Sequence, residues 1–595
     1  MTSLDLAPIG NCAQSALIDR NGRYVWACVP RIDGDPMFCA LMSGRDPDED
    51  QTGIWAIDLV DQVNAEQRYE RNTPILVTTL TDAKGAAVEI TDFCPRYRRY
   101  NRLYRPNAFI RIIRPLSGAP RIRIRLKPAV DWGARAAETT SGTNHIRFRV
   151  PGVMRLSTSA PTTHVLSGQV FRLEQEHVFF LGPDEPFDDD LRARVRTMHD
   201  HTTLYWQRWS RTLATPLEWQ GDVIRAAITL KLCVHEETGA IVAAMTTSVP
   251  EFPNSGRNWD YRFCWLRDAY YTVQALNRVG AADILEGYLS YLRNIIDATP
   301  SGRIQPVYGV GMEPILQEAT IDALPGYRGM GPIRIGNQAH EHHQHDVYGQ
   351  IVLSTVQAFY DSRLLRPPSV DDFYALESVG ERAYDVHLKP DAGLWEFRTK
   401  AATHTYSTLM CWAACDRLAN AAGRLGLNER QSFWRGRAEE IRGAIETKAW
   451  SEKLGRFAAT LGGGEMDASL LQMLDTRFVA ADDPRFLATL KAIEHDLRRG
   501  DHVLRYADED DFGKPETAFN FCTFWLIEAL YLVGRRDEAR ALFEQMLARR
   551  THAGLLSEDC DLSNGEPWGN YPQTYSLAGL INCAVLLSNP WSTVR

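Results

Sequence analysis

The sequence predicts a multidomain protein, β-rich at its start and all-α afterwards, in which an N-terminal β-sandwich precedes an (α/α)6 barrel. Its 595 residues exceed what one hydrophobic core usually holds. Short alternating segments fill roughly the first 185 residues, whereas from about Pro216 apolar residues recur with the period of helices. We therefore expect a β-sandwich domain over 1–190, a linker helix over 191–215 and a helical barrel over 216–595.

The β-rich segment contains a clear hairpin signal. Within 15–29, two apolar runs flank Asn21-Gly22, the dipeptide that favours a tight two-residue turn. Many short strands at such spacing favour a sandwich over alternating strands and helices. Further strands are predicted at 74–80, 87–93, 108–113, 122–126, 145–150 and 177–181. An acidic segment at 184–190 is expected to end the domain, and 191–212 to form the linker helix.

Twelve helices are predicted after residue 216, and their connections alternate in length. Long connections are expected at 237–259, 299–339, 388–403, 449–465, 499–515 and 550–571. If successive helices run antiparallel, as the short links imply, all six long connections emerge at one end. That arrangement predicts a toroid of six helical hairpins with its function on those loops. The helices are predicted to begin near Gln220, Asp260, Ala282, His340, Asp371, His404, Glu429, Met466, Asp483, Glu516, Asp537 and Pro572.

Composition argues against several classes of protein. The net charge of −9 does not favour nucleic acid, and the arginines between Arg96 and Arg125 alternate with apolar residues, which predicts the solvent face of a strand. The sequence contains no apolar run of about eighteen residues, so no membrane span is predicted. The start of the chain lacks a secretory pattern, and the eleven scattered cysteines favour reduced thiols, so we expect a cytoplasmic protein. Assembly into a homo-oligomer stays open.

The unusual side chains fall on the long connections. Residues 257–269 combine aromatics, arginines and aspartates, while Glu396 and Glu558 stand on separate same-end loops among glycine, aromatic and apolar residues. Such surroundings can raise the pKa of one carboxyl enough to make it a proton donor. Either glutamate alone could equally cap a helix or form a salt bridge. Two of them at one rim, with Trp395 adjacent, are the equipment of glycoside hydrolysis.

A series of motifs resembles, in order and over nearly the whole chain, the bacterial members of glycoside hydrolase family 15, the glucoamylase and trehalase-like family. The early IGNCAQSALIDRNGRYVWACVPRIDGDPMFCALM is similar to the family's N-terminal β-domain. The later motifs are RNWDYRFCWLRDA, LPGYRGMGPIRIGNQA with HDVYGQ, GLWEFR, EMDASLL, ETAFNFCTFW, and GLLSED followed by GNYPQTYS. The resemblance implies a β-sandwich of the supersandwich type, a catalytic (α/α)6 barrel, and exo-acting hydrolysis of α-glucosides with inversion.

The resemblance also implies roles for individual residues. Glu396 of GLWEFR would be the general acid and Glu558 of GLLSED the general base, with Arg267 and Asp268 holding the hydroxyls of the terminal glucose. Because the base would act through water, the two carboxyls should stand about 6.5 to 9.5 Å apart. No cofactor or metal is expected, and the partner is a small carbohydrate. Further substrate-binding residues would be Trp265, Tyr308, Arg334 and Trp395.

Several functions remain in competition. The first is an inverting hydrolase that releases β-glucose from α-glucans or short α-gluco-oligosaccharides, and the close alternative is a trehalase. A disaccharide phosphorylase is less favoured, because phosphate replaces the water and base, so Glu558 would be unnecessary. A non-catalytic glucan-binding protein is disfavoured by the presence of both glutamates. Linkage preference, chain length, pH optimum and oligomeric state are not determined by the sequence.

The chain departs from the family pattern at a few positions. The family more often has Glu where this chain has Gln350, and His where it has Leu577. Segment 340–346 is rich in histidine, with His340, His342, His343 and His345. A metal held by His342 and His345 on one helix face is conceivable, but a polar helix start near the pocket is preferred, because no recognised ligand spacing occurs. These differences leave substrate identity open.

Overall fold

The computed structural model describes residues 2–187, 190–299 and 303–594, so two residues of the acidic segment at 184–190 lie outside the described residues. Within these ranges the N-terminal region forms two large antiparallel sheets. The first contains Ala7–Gly10, Ser15–Ile18, Tyr24–Val29, Asp35–Phe38, Ile54–Leu59, Arg121–Lys127 and Phe171–Arg172. The second runs, in spatial order, Glu138–Ser141, His145–Arg149, Met154–Thr158, His177–Pro183, Phe109–Ser117, Ala87–Phe93, Leu76–Asp82 and Gln62–Tyr69.

The two sheets bury aromatic side chains against each other. Tyr24 and Trp55 of the first sheet make edge contacts with Phe109 and Phe179 of the second, with ring centroids 5.6 and 6.4 Å apart. Edge-to-face packing suits such rings, and their burial removes a large apolar area from water. The predicted hairpin is confirmed, with Gly22 at φ +74° in its turn. This packing confirms the predicted β-sandwich.

The expectation that the arginines between 96 and 125 face solvent is wrong for three of them. Arg96, Arg111 and Arg125 are buried. Arg111 forms an ion pair of 2.7 Å with Asp92 between the sheets, and Arg125 one of 2.6 Å with Asp58. A guanidinium tolerates burial when its donors are paired, so alternation with apolar residues did not reveal these ion pairs.

Fourteen α-helices occur in the described parts of the chain. α1 (Thr162–Ser167) and α2 (Leu191–Ser210) accompany the sandwich, and α2 lies where the linker helix is expected, although the domain boundaries stay a prediction. The others are α3 (Gln220–Leu232), α4 (Leu266–Arg278), α5 (Ala282–Ala298), α6 (Asp346–Val356), α7 (Val370–Val386), α8 (Thr405–Arg424), α9 (Asn428–Lys448), α10 (Gln472–Asp475), α11 (Pro484–Asp496), α12 (Asn520–Leu532), α13 (Arg536–Ala548) and α14 (Thr574–Leu587).

The even-numbered helices from α4 to α14 form a closed inner ring. α4 contacts both α6 and α14, α6 contacts α8, and α12 contacts α14, while the 3-10 turn Ala468–Leu471 that leads into α10 touches α8 and α12. α8, α12 and α14 are buried along most of their length, as expected of helices that are apolar on nearly every side. The odd-numbered helices α3 to α13 surround this ring. The predicted (α/α)6 barrel is therefore confirmed.

Four helix starts differ from the prediction by four residues or more. α10 begins six residues after Met466, behind the 3-10 turn Ala468–Leu471, and α12 begins four residues after Glu516. Residues 257–263 are non-helical and Cys264–Trp265 pairs with Val307–Tyr308, so α4 begins six residues after Asp260. Near His340 the chain forms a 3-10 turn, Gln338–Glu341, and His342 is extended with ψ 143° before α6 begins. A shared helix face for His342 and His345 is thus wrong.

All six long connections reach the N-terminal ends of the inner helices, and short strands pair within them. These pairs are Val234–His235 with Ala240–Ile241, Ala319–Ile321 with Ile333–Ile335, Trp450–Ser451 with Arg456–Phe457, Arg498–Arg499 with His502–Val503, and Ala518–Phe519 with Asp559–Cys560 and Pro567–Trp568. The sandwich seats against this rim: Trp26 Nε1 donates to the Met245 carbonyl over 2.8 Å, and Arg262 to that of Gly34 over 2.6 Å. Of the helices described, none is long and apolar enough to cross a membrane.

Candidate active site

A narrow cavity of about 80 Å³ opens at the N-terminal ends of the inner helices. Five of the six long connections supply side chains to it in the described structure. Because helix N-termini carry partial positive charge, this end of the ring favours carboxylates. The lining includes Glu251, Arg257, Trp259, Tyr261, Arg267, Asn337, His342, Trp395, Glu396, Arg398, Arg505, Asp510, Phe512, Phe519, Glu558 and Tyr575. The cavity thus brings together the predicted acid and the predicted base.

Glu396 reaches the cavity from an unusual backbone conformation. Its φ is +62°, in the left-handed region that a residue with a Cβ rarely adopts. Its Oε1 accepts hydrogen bonds from Trp265 Nε1 over 2.7 Å and from Arg267 Nη1 over 3.3 Å. Strain of this kind persists where surrounding contacts determine the geometry. The loop therefore aims Glu396 at two fixed donors.

Glu558 is 1% exposed and sits in a different environment. Its Oε1 accepts from the Tyr261 hydroxyl over 2.6 Å, and its Oε2 from the Asn570 backbone N–H over 3.2 Å. Burial, with the nearby charge of Glu251 adding to it, raises the pKa of Glu558 to about 8. Gly569 makes this approach feasible, since a Cβ there would lie 2.6 Å from the Glu558 carboxyl.

The two carboxyls are held by neighbouring aromatic rings. Tyr261, which binds Glu558, and Trp265, which binds Glu396, have ring centroids 5.4 Å apart. Each glutamate is therefore fixed separately while both face one cavity. Two carboxyls that face one cavity, each in a different environment, can give and take protons around a small substrate.

A loop around Asp510 narrows the mouth of the cavity. Arg257 donates to Asp510 over 2.7 Å, and the Phe512 ring packs at 5.1 Å against Trp259. Glu251, in turn, accepts from Trp259 Nε1 over 3.1 Å. These contacts link the first and fifth long connections into one wall.

The predicted substrate-binding residues fall into two groups. Arg267 and Trp395 line the cavity. Trp265 lies behind the lining and donates a hydrogen bond to Glu396, which lines it. Asp268 lies outside the lining residues, with Oδ2 3.3 Å from Arg267 Nη2, and burial raises its pKa to about 6. Their roles as sugar ligands stay predictions.

Tyr308 and Arg334 also stand outside the lining residues. The Tyr308 hydroxyl accepts from the Gln305 backbone N–H over 3.0 Å, and the Arg334 guanidinium lies 4.7 Å from the Trp259 ring. Arg334 is placed to support the wall through Trp259, and direct substrate contact by either residue stays a prediction. The departures at Gln350 and Leu577 are buried away from the cavity lining.

Several lining residues escaped the sequence reasoning. Tyr261 lies within the recognised motif, but nothing in the pattern distinguished it from its aromatic neighbours. Among the histidines, His342 lines the cavity, and neither of its ring nitrogens has a hydrogen-bond partner in the described structure. Over the same described ranges, no group of three or more His, Cys, Asp or Glu side chains is arranged to hold a metal.

Sequence comparisons agree with this architecture. The model of glycosyl hydrolases family 15 matches residues 220–585, and the trehalase-like N-terminal model matches 5–178. A trehalase of Thermoplasma volcanium is 30% identical over 594 residues, covering 97% of this chain and 92% of the relative. A trehalase of Mycolicibacterium smegmatis is 30% identical over 612 residues, covering 98% and 90%.

A solved structure shares the fold. A bacterial glucoamylase complexed with acarbose superposes with a TM-score of 0.68 at 13% identity, covering 98% of this chain and 94% of that one. At that identity the likeness concerns the fold alone. It contains the same succession of sandwich and helical barrel.

Proposed function

Since the chain belongs to family 15 of the glycosyl hydrolases and is a glycosidase, we propose that it hydrolyses α,α-trehalose with inversion at one anomeric carbon. The observation that carries the proposal is the similarity to trehalases along almost the entire chain. The sequence alone placed α-glucans and short α-gluco-oligosaccharides first. The comparisons favour the alternative, trehalose.

The site supports this substrate. Trehalose is a short, neutral disaccharide, and the wall formed by Phe512 and Trp259 borders a narrow cavity beside the two glutamates. Arginine and aromatic side chains there supply hydroxyl partners and stacking faces. A carboxyl pair on opposite faces of the scissile bond is what an inverting mechanism requires.

In the proposed mechanism, protonated Glu396 gives its proton to the glycosidic oxygen as the C–O bond breaks. Glu558, in the fraction of molecules in which its raised pKa allows it to be ionised, takes a proton from a water molecule, whose oxygen forms the new bond to the anomeric carbon from the opposite face. Tyr261 and the Asn570 N–H fix the base, while Trp265 and Arg267 fix the acid. Inversion yields one β-glucose and one α-glucose from each trehalose.

The experiment is proton NMR recorded during hydrolysis, before mutarotation. We expect equal amounts of α- and β-glucose from trehalose and much slower release from maltose and isomaltose. α-Glucose alone would contradict inversion, and a preference for maltose or longer glucans would restore the α-glucan hydrolase. Turnover that depends on phosphate would indicate a phosphorylase instead.

The roles of the two glutamates are separable with α-glucosyl fluoride, whose leaving group needs no proton. Glu396→Gln should lose trehalose hydrolysis yet keep most activity on the fluoride. Glu558→Gln should lose both, because activation of water is still needed. The reverse result would exchange the two assignments.

A further inference from the structure

A second cavity, of about 460 Å³, occupies the opposite end of the barrel axis. It opens where the inner helices end, and its wall includes Arg278 of α4, Asp475 of α10, Glu528 of α12 and Asn582 of α14. Its lining shares no residue with the lining of the first cavity. We propose that this cavity is a second binding site for a neutral mono- or disaccharide, separate from the catalytic centre.

Two buried polar groups in its wall lack partners. Asn582 is 7% exposed and Trp525 is 2% exposed. Among the described residues, neither the Asn582 Oδ1 nor the Trp525 Nε1 has a hydrogen-bond partner. A buried polar group without a hydrogen-bond partner is destabilising, so a ligand that pairs with it gains from the contact. One acceptor and one donor thus face a space that a hydroxylated molecule can fill.

Four charged side chains of the cavity have no ion-pair partner within the described ranges, whereas the others in its lining, Asp416, Arg417 and Arg442, are paired. In the part of the chain that the structure describes, Glu528, Asp475, Arg278 and Arg477 form no ion pair within 4.0 Å. Burial, followed by the charge of Asp475, raises the pKa of Glu528 to about 8. These two acids and two arginines place hydrogen-bond acceptors and donors side by side in the lining. Neutral hydroxyls can use both kinds of partner.

A layer of packed side chains separates the two cavities. The Tyr271 hydroxyl donates to Gln472 Oε1 over 2.9 Å within the ring. The Trp525 ring lies 6.3 Å from that of Trp395, which lines the first cavity beside Glu396. A sugar in the second cavity would therefore lie on the barrel axis without reaching the catalytic carboxyls.

The test is binding of glucose to the intact protein, followed by calorimetry and by crystals soaked in glucose. We expect sugar density in the second cavity of the wild type. Asp475→Ala and Arg477→Gly should each weaken that site by about tenfold or more, the loss expected for hydrogen bonds to charged groups. Arg477 has a φ of +61°, so glycine suits its backbone and the variant should fold. Lys491→Ala, an exposed change on the outer helix α11, is the matched control.

Any one of three results would overturn the proposal. These are a second cavity that holds ordered water alone, a cavity that sulfate or Mg²⁺ occupies in preference to glucose, and glucose binding that is unchanged in both variants. The outcome is independent of the proposed trehalase activity, because glucose is not hydrolysed and the readout is binding. Glu558→Gln should abolish turnover while leaving the second site intact. If trehalose proves not to be the substrate, loss of glucose from this cavity in Asp475→Ala still supports the proposed second sugar site.

Discussion

Replacing Glu558 with Gln should inactivate the protein and yet stabilise its fold at neutral pH. Glu558 is buried, and burial together with the charge of Glu251 raises its pKa from an ordinary 4.5 to about 8. The folded state therefore holds a proton that the unfolded chain releases. Stability from this group is complete below about pH 4.5 and is lost as pH rises towards about 8.

The magnitude follows from that difference in pKa. Wild-type folding is weakened by about 1 kcal/mol at pH 5 and by about 3 kcal/mol at pH 7, since each pH unit between the two pKa values is worth about 1.4 kcal/mol. A glutamine escapes this penalty. It can keep the bond from Tyr261 but not also that from the Asn570 N–H, which costs about 1 kcal/mol at every pH. The variant should thus match the wild type at pH 5 and exceed it by about 2 kcal/mol at pH 7.

Thermal unfolding followed by circular dichroism measures the effect. With an unfolding entropy of about 2.1 cal/mol/K per residue over 595 residues, 2 kcal/mol corresponds to a Tm gain of about 2 °C at pH 7. Glu396→Gln is the control: it weakens the contact between the Glu396 carboxyl and Arg267 and should lower Tm at the same pH. A Tm difference for Glu558→Gln that is equal at pH 5 and pH 7, or negative at pH 7, would refute the reasoning.

Three further changes test the site. Glu251→Gln removes a negative charge that raises the Glu558 pKa, so the acidic limb of the kcat/KM profile should move to lower pH; a limb that moves upward would contradict the arrangement. Gly569→Ala places a Cβ 2.6 Å from the Glu558 carboxyl at a φ of +71°, and kcat should fall by about a hundredfold or more with Tm nearly unchanged, whereas near-normal kcat would show that the contact yields. His342→Phe keeps the ring but removes both free nitrogens, and KM should rise by about tenfold with kcat nearly preserved; an unchanged KM would exclude substrate contact.

The helical half of the fold was predictable because each inner helix needs a long apolar face and because short and long connections alternate between the helices. The sequence placed α5 and α9 within a residue of their observed starts. It failed at α4, where the aromatic and charged residues 257–265 are non-helical and Cys264–Trp265 pairs with Val307–Tyr308. The local preferences of a sequence contain no information about strand pairing with a distant segment, so the helix was predicted to begin too early.

The site was predictable as a set of loops, but not as a set of contacts. Glu396 and Glu558 were found because carboxylates among aromatics are chemically distinctive. Tyr261 was not distinguished from Trp265, since which aromatic binds which carboxyl depends on geometry. Arg111 was misplaced for the same reason: an arginine paired with a buried aspartate looks, in sequence, like one facing solvent.

At the N-terminal ends of the inner helices, the loops hold a strained backbone conformation and a buried carboxyl, both of which destabilise a fold. Glu396 adopts a left-handed backbone, and Glu558 is buried near Glu251. The helices beneath are apolar and closely packed, as in α12 and α14, so their burial offsets the cost of the rim. That separation explains why Glu558→Gln can lose catalysis and gain stability together: the proposed activation of water requires an ionised carboxyl, whereas the burial of Glu558 favours its protonated form and weakens the fold at neutral pH.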